Sequence, residues 1–391
     1  MLDSLPPEIL FYIFLKLPSR TLILCTCVSK PWRSLITDPA FLLSHLNQSN
    51  TNHHRNRNRL LLLRRCYSTA TKKAERYSLH FDSDTLGIYK ELKLPHVNWN
   101  QSFKLVGSSN GLLCLLGQNI FFWNPSIQRF LALPWPSDIF TVYGSPYKYA
   151  LGFGFDSRAN DFKLVRLVYI EGGPPVYDYE LPPRVELYQL STGSWRQITD
   201  SAPCYEILKS QWTQIFMNEA VHWIAFIRSR RGFRCVILRF HMDGEYFSTI
   251  PLPDCLVNEF PQNLKVAMLG GELCVLQCGW YPFGNRYVSS VWMLRKYDVV
   301  ESWTKILSVD PSQGLGMALG CRENGEMLMT SRNGELVSYK PENQIVKGLG
   351  IRGAQDSFFL DYTFVESLAL LNEGKRIVNE DYEDEDWELE S

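Results

Sequence analysis

Apolar residues recur at helical spacing near the start of the chain. Ser4 is the predicted N-cap of this helix, and the prolines at positions 6 and 7 suit its first turn, where backbone N–H groups have no partners within the helix. Pro18 is expected to end it. The apolar positions that define its apolar stripe are Ile9, Leu10, Ile13 and Leu17.

Two more short helices are predicted directly afterwards. One begins near Ser19, the next is opened by Ser29 and Pro31, and Asp38-Pro39 is expected to close the module. A unit of about 45 residues buries too little surface to be stable alone, and the apolar residues lie on more than one helical face. The pattern therefore predicts a helical module that binds a partner. The apolar positions of these two helices are Leu22, Cys25, Val28, Trp32, Leu35 and Ile36.

A second pattern repeats along the rest of the chain. An apolar or aromatic residue is followed six or seven positions later, across a polar turn, by another, as expected for a β-hairpin. The hairpins recur every 42 to 65 residues, and about four strands per repeat are typical of a β-propeller. The pairs are Phe81 with Ile88, Trp123 with Phe130, Tyr188 with Trp195, Phe240 with Phe247, Tyr297 with Trp303, and Tyr339 with Val346.

The strand pattern predicts a ring that closes at its two ends. Five complete blades fit between Ser102 and Ile351, whereas the first blade shows only three strands. A leftover strand over Phe358 to Leu370 is expected to supply the missing innermost strand, which would remove open sheet edges. The predicted fold class is therefore α+β multidomain: three N-terminal helices followed by an all-β propeller of about six four-stranded blades.

Composition limits the function classes. The formal net charge of −1 argues against a general surface for nucleic acid or anionic membranes. The ten cysteines stand at irregular positions, many in strand-like runs, and are interpreted as reduced apolar residues in a protein of the cytosol or nucleus. The predicted organisation is a helical module over 1–47, a flexible basic linker over 48–59, the propeller over 60–373 and an acidic disordered tail over 374–391.

The helical module resembles an F-box. The resemblance is carried by Leu5-Pro6, Glu8-Ile9-Leu10, Leu17-Pro18 and the run from Cys27 to Arg33, although the stretch from Leu22 to Cys27 is more apolar than the family pattern. It implies that the module docks a Skp-type adaptor and so joins cullin and RING subunits as the substrate receptor of a ubiquitin ligase. Carried over by position, the residues that form or support the adaptor face are Leu5, Pro6, Ile9, Leu10, Ile13, Leu17, Pro18, Val28 and Trp32.

The remainder is similar to the F-box-associated domain, a kelch-like propeller that follows the F-box in many plant proteins. The matching motifs are SNGLLCL from Ser109, WNP from Trp123, GFGFD from Gly152, AVHWIA from Ala220 and VESLALL from Val365. These motifs are structural, so they favour the architecture and say little about the ligand.

Long connections are expected to gather on one face of the propeller, called here the long-loop face. It holds the second-to-third and blade-to-blade connections, whereas the other turns form the opposite, short-turn face. Nearly all long segments belong to the first set: 67–76, 95–101, 134–148, 171–184, 199–210, 228–234, 252–263 and 279–288. Aromatic and arginine residues on rigidly held loops are typical of binding sites. The predicted substrate-binding residues are Trp135, Tyr143, Tyr147, Tyr177, Tyr179, Arg231, Trp280 and Tyr281.

No catalytic constellation is predicted. The sequence lacks a phosphate-binding glycine loop, a nucleophile elbow and a His/Cys set at metal spacing, and the carboxylates Asp178 and Glu180 are interpreted as surface groups. We expect no catalytic residue, metal or cofactor, and a non-catalytic receptor that brings a target close to the transferring enzyme. A binding protein or scaffold that uses its F-box without promoting ubiquitin transfer remains an open alternative.

Overall fold

The structure of the protein is a computed structural model. It describes residues 5–55, 60–68, 73–92, 94, 103–136, 147–170, 182–198, 202–208, 214–229, 232–281, 286–309, 314–322, 324–353, 359–361, 364–373 and 375–376. Four helices open the chain: α1 (Pro7–Leu15), α2 (Ser19–Cys25), α3 (Lys30–Thr37) and α4 (Pro39–Arg55). None of the helices in these ranges is long and apolar enough to cross a membrane.

The first three helices pack around a small apolar core. Phe14 of α1 meets Trp32 of α3 edge-on with ring centroids 5.0 Å apart, and Leu22 of α2 is fully buried beside them. The Ser29 side chain accepts a hydrogen bond from the Trp32 N–H at 3.4 Å, as predicted for the N-cap of α3. The predicted cap of α1 is wrong, because Pro6 occupies that position without a side-chain hydrogen bond and Ser4 lies outside the described residues.

The end of the module differs from the prediction. Asp38-Pro39 does not close it, because the Asp38 carboxylate accepts a hydrogen bond from the Ala40 N–H at 2.8 Å and Pro39 is the first residue of α4. Residues 48–55 of the predicted linker belong to this helix, and residues 56–59 lie outside the described ranges. Phe41 and Leu46 are buried and anchor α4, and each further residue then adds one backbone hydrogen bond to an existing helix, so polar residues extend it at little cost.

Twenty-five strands follow within the described ranges. They are β1 (Leu60–Ser68), β2 (Lys73–Phe81), β3 (Ile88–Leu92), β4 (Lys104–Ser109), β5 (Leu112–Leu116), β6 (Ile120–Asn124), β7 (Arg129–Ala132), β8 (Tyr147–Asp156), β9 (Asp161–Ile170), β10 (Arg184–Gln189), β11 (Ser194–Ile198), β12 (Ile215–Met217), β13 (Ala220–Ser229), β14 (Gly232–His241), β15 (Tyr246–Pro251), β16 (Leu264–Leu269), β17 (Glu272–Tyr281), β18 (Arg286–Leu294), β19 (Trp303–Val309), β20 (Leu315–Cys321), β21 (Met327–Ser331), β22 (Glu335–Lys340), β23 (Ile345–Arg352), β24 (Phe359–Asp361) and β25 (Lys375–Arg376). A short helix α5 (Asp254–Val257) and two 3-10 turns, Pro261–Asn263 and Val300–Ser302, lie between them.

The strands form a six-bladed propeller, as predicted. Each blade is an antiparallel sheet, and blades 2 to 6 begin with β4, β8, β12, β16 and β20, whose mutual contacts place them innermost. Blade 1 has the order β24-β1-β2-β3, so β24, which follows the sixth blade in sequence, supplies its inner edge and the ring closes. Among the described residues of the predicted closing strand, Phe359–Asp361 form a strand and residues 364–370 have irregular structure.

Four of the six predicted hairpin pairs have the predicted register. Trp123, Tyr188, Phe240 and Tyr339 lie opposite the predicted partners. The pairing of Tyr297 is wrong, because β18 ends at Leu294, which lies opposite Trp303. The pairing of Phe81 is also wrong: a register shift between β2 and β3 places His80 opposite Ile88.

Parts of several predicted loops and of the predicted tail are strands. Residues 228–234 contain the end of β13 and the start of β14, in which Ser229 lies opposite Gly232. Residues 67–76 and 279–288 likewise contain the ends of β1, β2, β17 and β18. Lys375 and Arg376 pair with β7 as a fifth strand of blade 2, because β7 would otherwise present an unpaired edge; residues 377–391 lie outside the described ranges.

Gly152 marks the tight contact between blades 3 and 4. An added Cβ would lie 2.1 Å from Trp223 Cζ2 and 2.9 Å from Val165 Cγ1, and the Trp223 indole is held by a hydrogen bond to the Leu151 carbonyl at 3.0 Å. We expect Gly152→Ala to lower the free energy of unfolding by about 3 kcal/mol. Urea unfolding of the variant measures this, with Gly87→Ala as the control because no atom lies within 4 Å of its added Cβ. Equal midpoints for the two variants would contradict the prediction.

Candidate adaptor and substrate surfaces

The helical module divides its apolar residues between a core and a surface. Leu10, Phe14, Leu22, Trp32 and Ile36 are buried in the core. The surface residues are all large and apolar, and a surface of this kind is typical of a protein-binding site. They are Ile9, Tyr12 and Ile13 of α1, Leu24 of α2, and Val28 in the turn that follows α2.

The predicted adaptor residues fall into two groups. Pro6, Ile9, Ile13, Pro18 and Val28 are exposed and are available to a partner. The others, Leu5, Leu10, Leu17 and Trp32, are buried or half-buried in the core of the module and can only support the surface.

The sequence prediction missed two exposed residues of the same surface. Tyr12 and Leu24 have 67% and 65% of their surface exposed, the largest fractions among the exposed large apolar residues of the described chain. Tyr12 stands three residues after Ile9, and this i, i+3 spacing places it on the same side of α1. That spacing is the signal that could have identified it.

The module packs on the short-turn face of the propeller, at blade 2. Ile127, in the turn between β6 and β7, belongs to the same apolar cluster as Trp32 and Phe41. The Asn50 side chain of α4 donates a hydrogen bond to Asn110 Oδ1 in the turn between β4 and β5 at 3.3 Å. The β4–β5 turn joins the first and second strands of blade 2, and the β6–β7 turn joins its third and fourth strands. Turns of both kinds lie on the short-turn face, so this face carries the helices.

Blade 1 also lies near the module. Lys90 of β3 has a lowered pKa, first because it is partly buried and then because the positive charge of Arg20 in α2 is close. Burial also raises the pKa of the Glu366 carboxyl, and the nearby Lys90 charge opposes that shift. The module therefore packs on blade 2 and also lies near blade 1.

An aromatic and cationic cluster lies on the long-loop face of blade 3. Trp135 follows β7 and donates its indole N–H to Asn119 Oδ1 in the β5–β6 turn at 2.9 Å, which fixes a ring that is 38% exposed. The ring meets Tyr149 edge-on with centroids 6.4 Å apart. The Arg166 guanidinium lies 5.0 Å from the Tyr149 ring centroid and is paired with Glu186 at 3.0 Å.

A second group of charges lies between blades 3 and 4. The Lys148 ammonium is paired with the Glu206 carboxylate and lies 5.7 Å from the Tyr169 ring centroid. The exposed Arg228 of blade 4 approaches the same carboxylate at 3.7 Å. Because neighbouring residues of a strand point to opposite faces of the sheet, Lys148 lies on the side of blade 3 that faces blade 4, whereas Tyr149 and Trp135 lie on the other side.

Trp135 is the only predicted substrate residue whose side chain lies in the described part of the chain. Tyr147 stands at the start of β8, and Trp280 and Tyr281 at the end of β17, where only the backbone is described. The others lie outside the described residues: Tyr143, Tyr177, Tyr179 and Arg231.

The described residues offer no metal-binding group of three or more His, Cys, Asp or Glu side chains. The buried thiols have raised pKa values because burial disfavours the thiolate, as for Cys235, whose pKa is raised to about 12 by burial and by the nearby Glu259 charge. Such thiols are poor nucleophiles at neutral pH.

Comparison with known proteins gives two family matches. Residues 2–49 match the F-box-like family, and residues 63–364 match the family of the F-box associated beta propeller domain. Among curated relatives, "F-box protein CPR1" of Arabidopsis thaliana is 28% identical and the alignment covers 94% of this chain and 89% of that protein. "F-box protein At4g22390" of Arabidopsis thaliana is 26% identical, with 93% and 90% covered.

Solved structures are more distant. An oligogalacturonate lyase in complex with manganese has a TM-score of 0.39 and 10% identity, with 76% of this chain and 80% of that chain covered. A TM-score of this size carries no argument about this protein. The second family match spans most of the chain and coincides with the observed blades, and the first coincides with the helical module. The chain is therefore an F-box protein of the F-box-associated β-propeller family, an architecture that supports the role of a generally non-catalytic substrate adaptor.

Proposed function

We propose that the protein is the substrate receptor of a Skp-cullin-F-box ubiquitin ligase of the cytosol or nucleus. In this function the exposed apolar surface of α1 and α2 docks the Skp-type adaptor, which links the receptor to cullin and RING subunits. The long-loop face of the propeller captures the target protein around Trp135.

One observation carries the proposal: the two candidate surfaces lie on opposite sides of one folded body. The F-box covers the short-turn face at Asn110 and Ile127, whereas Trp135 is hydrogen-bonded to a long-loop turn at Asn119. An adaptor on the F-box would therefore leave the long-loop face accessible to a target. The receptor's contribution is proximity, since it holds target lysines where a charged ubiquitin-conjugating enzyme can reach them.

Affinity purification under proteasome inhibition tests this function. The intact chain is expected to recover Skp-type adaptor, cullin and a target protein. Trp135→Ala is expected to recover adaptor and cullin but to reduce target recovery by about tenfold, because a fixed and partly exposed tryptophan is typical of a binding hot spot. Mass spectrometry with isotope labelling measures the ratios.

Tyr246→Ala is the matched control, because this tyrosine is 48% exposed and lies on blade 4 away from the Trp135 cluster. It is expected to recover adaptor and target normally. Absence of adaptor and cullin from the intact chain would overturn the proposal. Normal target recovery with Trp135→Ala would overturn the assignment of the substrate site, and a target that is captured but not stabilised by proteasome inhibition would favour a non-degradative scaffold.

A further inference from the structure

The C-terminal segment 364–372, called here the coupling segment, enters three apolar cores. Phe364 packs in the cluster that contains Tyr77 and Trp123 of blades 1 and 2. Val365 and Leu370 enter the core shared by blades 2, 3 and 4. Two further side chains of the segment, those of residues 368 and 371, belong to the core of the F-box. One short stretch without regular secondary structure thus joins the two domains.

Asn124, the asparagine of the WNP motif, holds this segment in place. Its fully buried amide donates hydrogen bonds to the carbonyls of Ser367 and Ala369 at 3.0 and 2.9 Å and approaches Ser367 Oγ at 3.2 Å. Its Oδ1 accepts a hydrogen bond from the Ser126 N–H at 2.9 Å. Among side chains of this size, only a primary amide offers two N–H donors and an acceptor oxygen in one plane. Asparagine therefore suits a site that must bind two carbonyls and one N–H.

Gly111 allows the segment to approach blade 2 closely. An added Cβ at this glycine, which has φ +77°, would lie 2.3 Å from the Val365 carbonyl oxygen. The SNGLLCL and WNP motifs therefore share one structural purpose, because Gly111 and Asn124 both receive the C-terminal segment.

The segment also holds the helices. Leu368 and Leu371 are buried among Trp32, Ile36 and Phe41 of the F-box. The Asn372 side chain donates a hydrogen bond to the carbonyl of Thr37, the last residue of α3, at 3.1 Å. The F-box is thus fixed to the propeller by buried apolar contacts as well as by polar ones at its edge.

We infer that the coupling segment sets the direction in which the F-box presents its adaptor, and that Asn124 is a positioning residue for ubiquitin transfer. Domains joined by small polar contacts normally move relative to each other, whereas a buried apolar joint fixes them. In the transfer step a lysine amine attacks the ubiquitin thioester, the C–N bond forms as the C–S bond breaks, and the departing thiolate takes up the proton that the amine loses. If the F-box and the propeller move relative to each other, the effective concentration of lysines at that thioester falls.

The inference rests on the proposed ligase function, so its test separates the two. The full chain is assembled with Skp-type adaptor, cullin, RING subunit and a ubiquitin-conjugating enzyme, and the probe is ubiquitin transfer to the receptor's own propeller lysines. Asn124→Asp keeps the size and the acceptor for Ser126 but places a carboxylate against two carbonyl oxygens. We expect this variant to bind adaptor normally, to transfer ubiquitin about tenfold more slowly and to modify a wider set of lysines.

Two further variants keep the test decisive. The double variant Leu368→Ala, Leu371→Ala weakens the contact between the coupling segment and the F-box core without adding a buried charge. It replaces Asn124→Asp in the test if that variant does not fold. Asn343→Ala is the matched control, since Asn343 caps the corresponding third-to-fourth turn of blade 6 through the Ile345 N–H at 3.3 Å. It is expected to transfer ubiquitin at the wild-type rate.

A cross-link provides the rescue. The exposed Cys27, Cys204 and Cys255 are first changed to serine. Asn50→Cys and Asn110→Cys are then introduced and joined by a short bismaleimide. In the two coupling variants, Asn124→Asp and the Leu368→Ala, Leu371→Ala pair, this cross-link is expected to restore the wild-type rate of ubiquitin transfer and the wild-type set of modified lysines. If the intact chain binds no adaptor, the proposed function fails. If it transfers ubiquitin and the coupling variants match it, or if they lose adaptor binding in proportion to rate, the positioning role is wrong.

Discussion

Replacing Ile9 and Ile13 together by aspartate is expected to weaken binding of a Skp-type adaptor by at least about 100-fold. Both side chains are exposed on α1, at 47% and 38%, and neither belongs to the F-box core. The substitution therefore opens no cavity but would bury two unpaired carboxylates against the partner, and an unpaired buried charge costs several kcal/mol. Isothermal titration calorimetry with the full chain measures the dissociation constant.

The chain offers a matched control for this variant. Ile88 and Ile345 are 56% and 57% exposed on blades 1 and 6, so their joint replacement by aspartate adds the same charge outside the proposed surface. It is expected to leave adaptor affinity and the unfolding midpoint unchanged. Affinity within twofold of wild type for the Ile9 and Ile13 variant would show that α1 does not dock the adaptor.

The architecture could be predicted from sequence wherever a pattern is local and repeated. Strand alternation identified the six blades, and residues such as Trp123 and Tyr188 lie in the predicted register because a hairpin fixes its own pairing. The pairing of Tyr297 was wrong because the β18–β19 connection contains a 3-10 turn, Val300–Ser302, which the two-residue alternation does not reveal.

Contacts between distant parts of the chain could not be predicted in this way. VESLALL matched the family motif, yet its hydrogen bonds to Asn124 span 243 and 245 residues of sequence. The helical state of residues 48–55 likewise depends on the burial of Phe41 and Leu46, since their own composition favours a polar linker. For the substrate surface, sequence identified Trp135 but not its fixed orientation, which arises from Asn119 on another loop.

Lys163→Met is expected to lower the free energy of unfolding at pH 7 by about 3–5 kcal/mol. The Lys163 ammonium is almost fully buried between blades 3 and 4. Its Nζ donates to Asp156 Oδ2 at 2.6 Å, to the Met242 carbonyl at 2.8 Å and to Glu245 Oε1 at 2.8 Å. Methionine matches the length of the side chain, so the variant removes the charge with little change of volume and leaves a buried carboxylate without its cation.

The pH dependence distinguishes this cause from poor packing. Burial alone would raise the pKa of Asp156, but hydrogen bonds from Lys163 and from the Ala159 and Arg158 N–H groups outweigh it and hold that pKa below its usual value. Glu245 behaves alike: burial is outweighed by Arg196 and Lys163, and its pKa is lowered. A carboxyl with a lowered folded-state pKa stabilises the protein above its unfolded pKa, and this stability is lost as the pH falls through the folded value.

The loss of unfolding free energy caused by Lys163→Met is therefore expected to be largest near neutral pH. It should shrink on acidification below about pH 4.5, where the unpaired carboxyls take up protons. Urea unfolding at pH 7 and pH 4 measures both values. Lys340→Met is the control, because the Lys340 ammonium lies 4.0 Å from the Glu342 carboxylate on an exposed turn and such a pair contributes less than about 1 kcal/mol. A Lys163→Met deficit that is small, or that is the same at both pH values, would show that the buried pair does not hold blades 3 and 4 together.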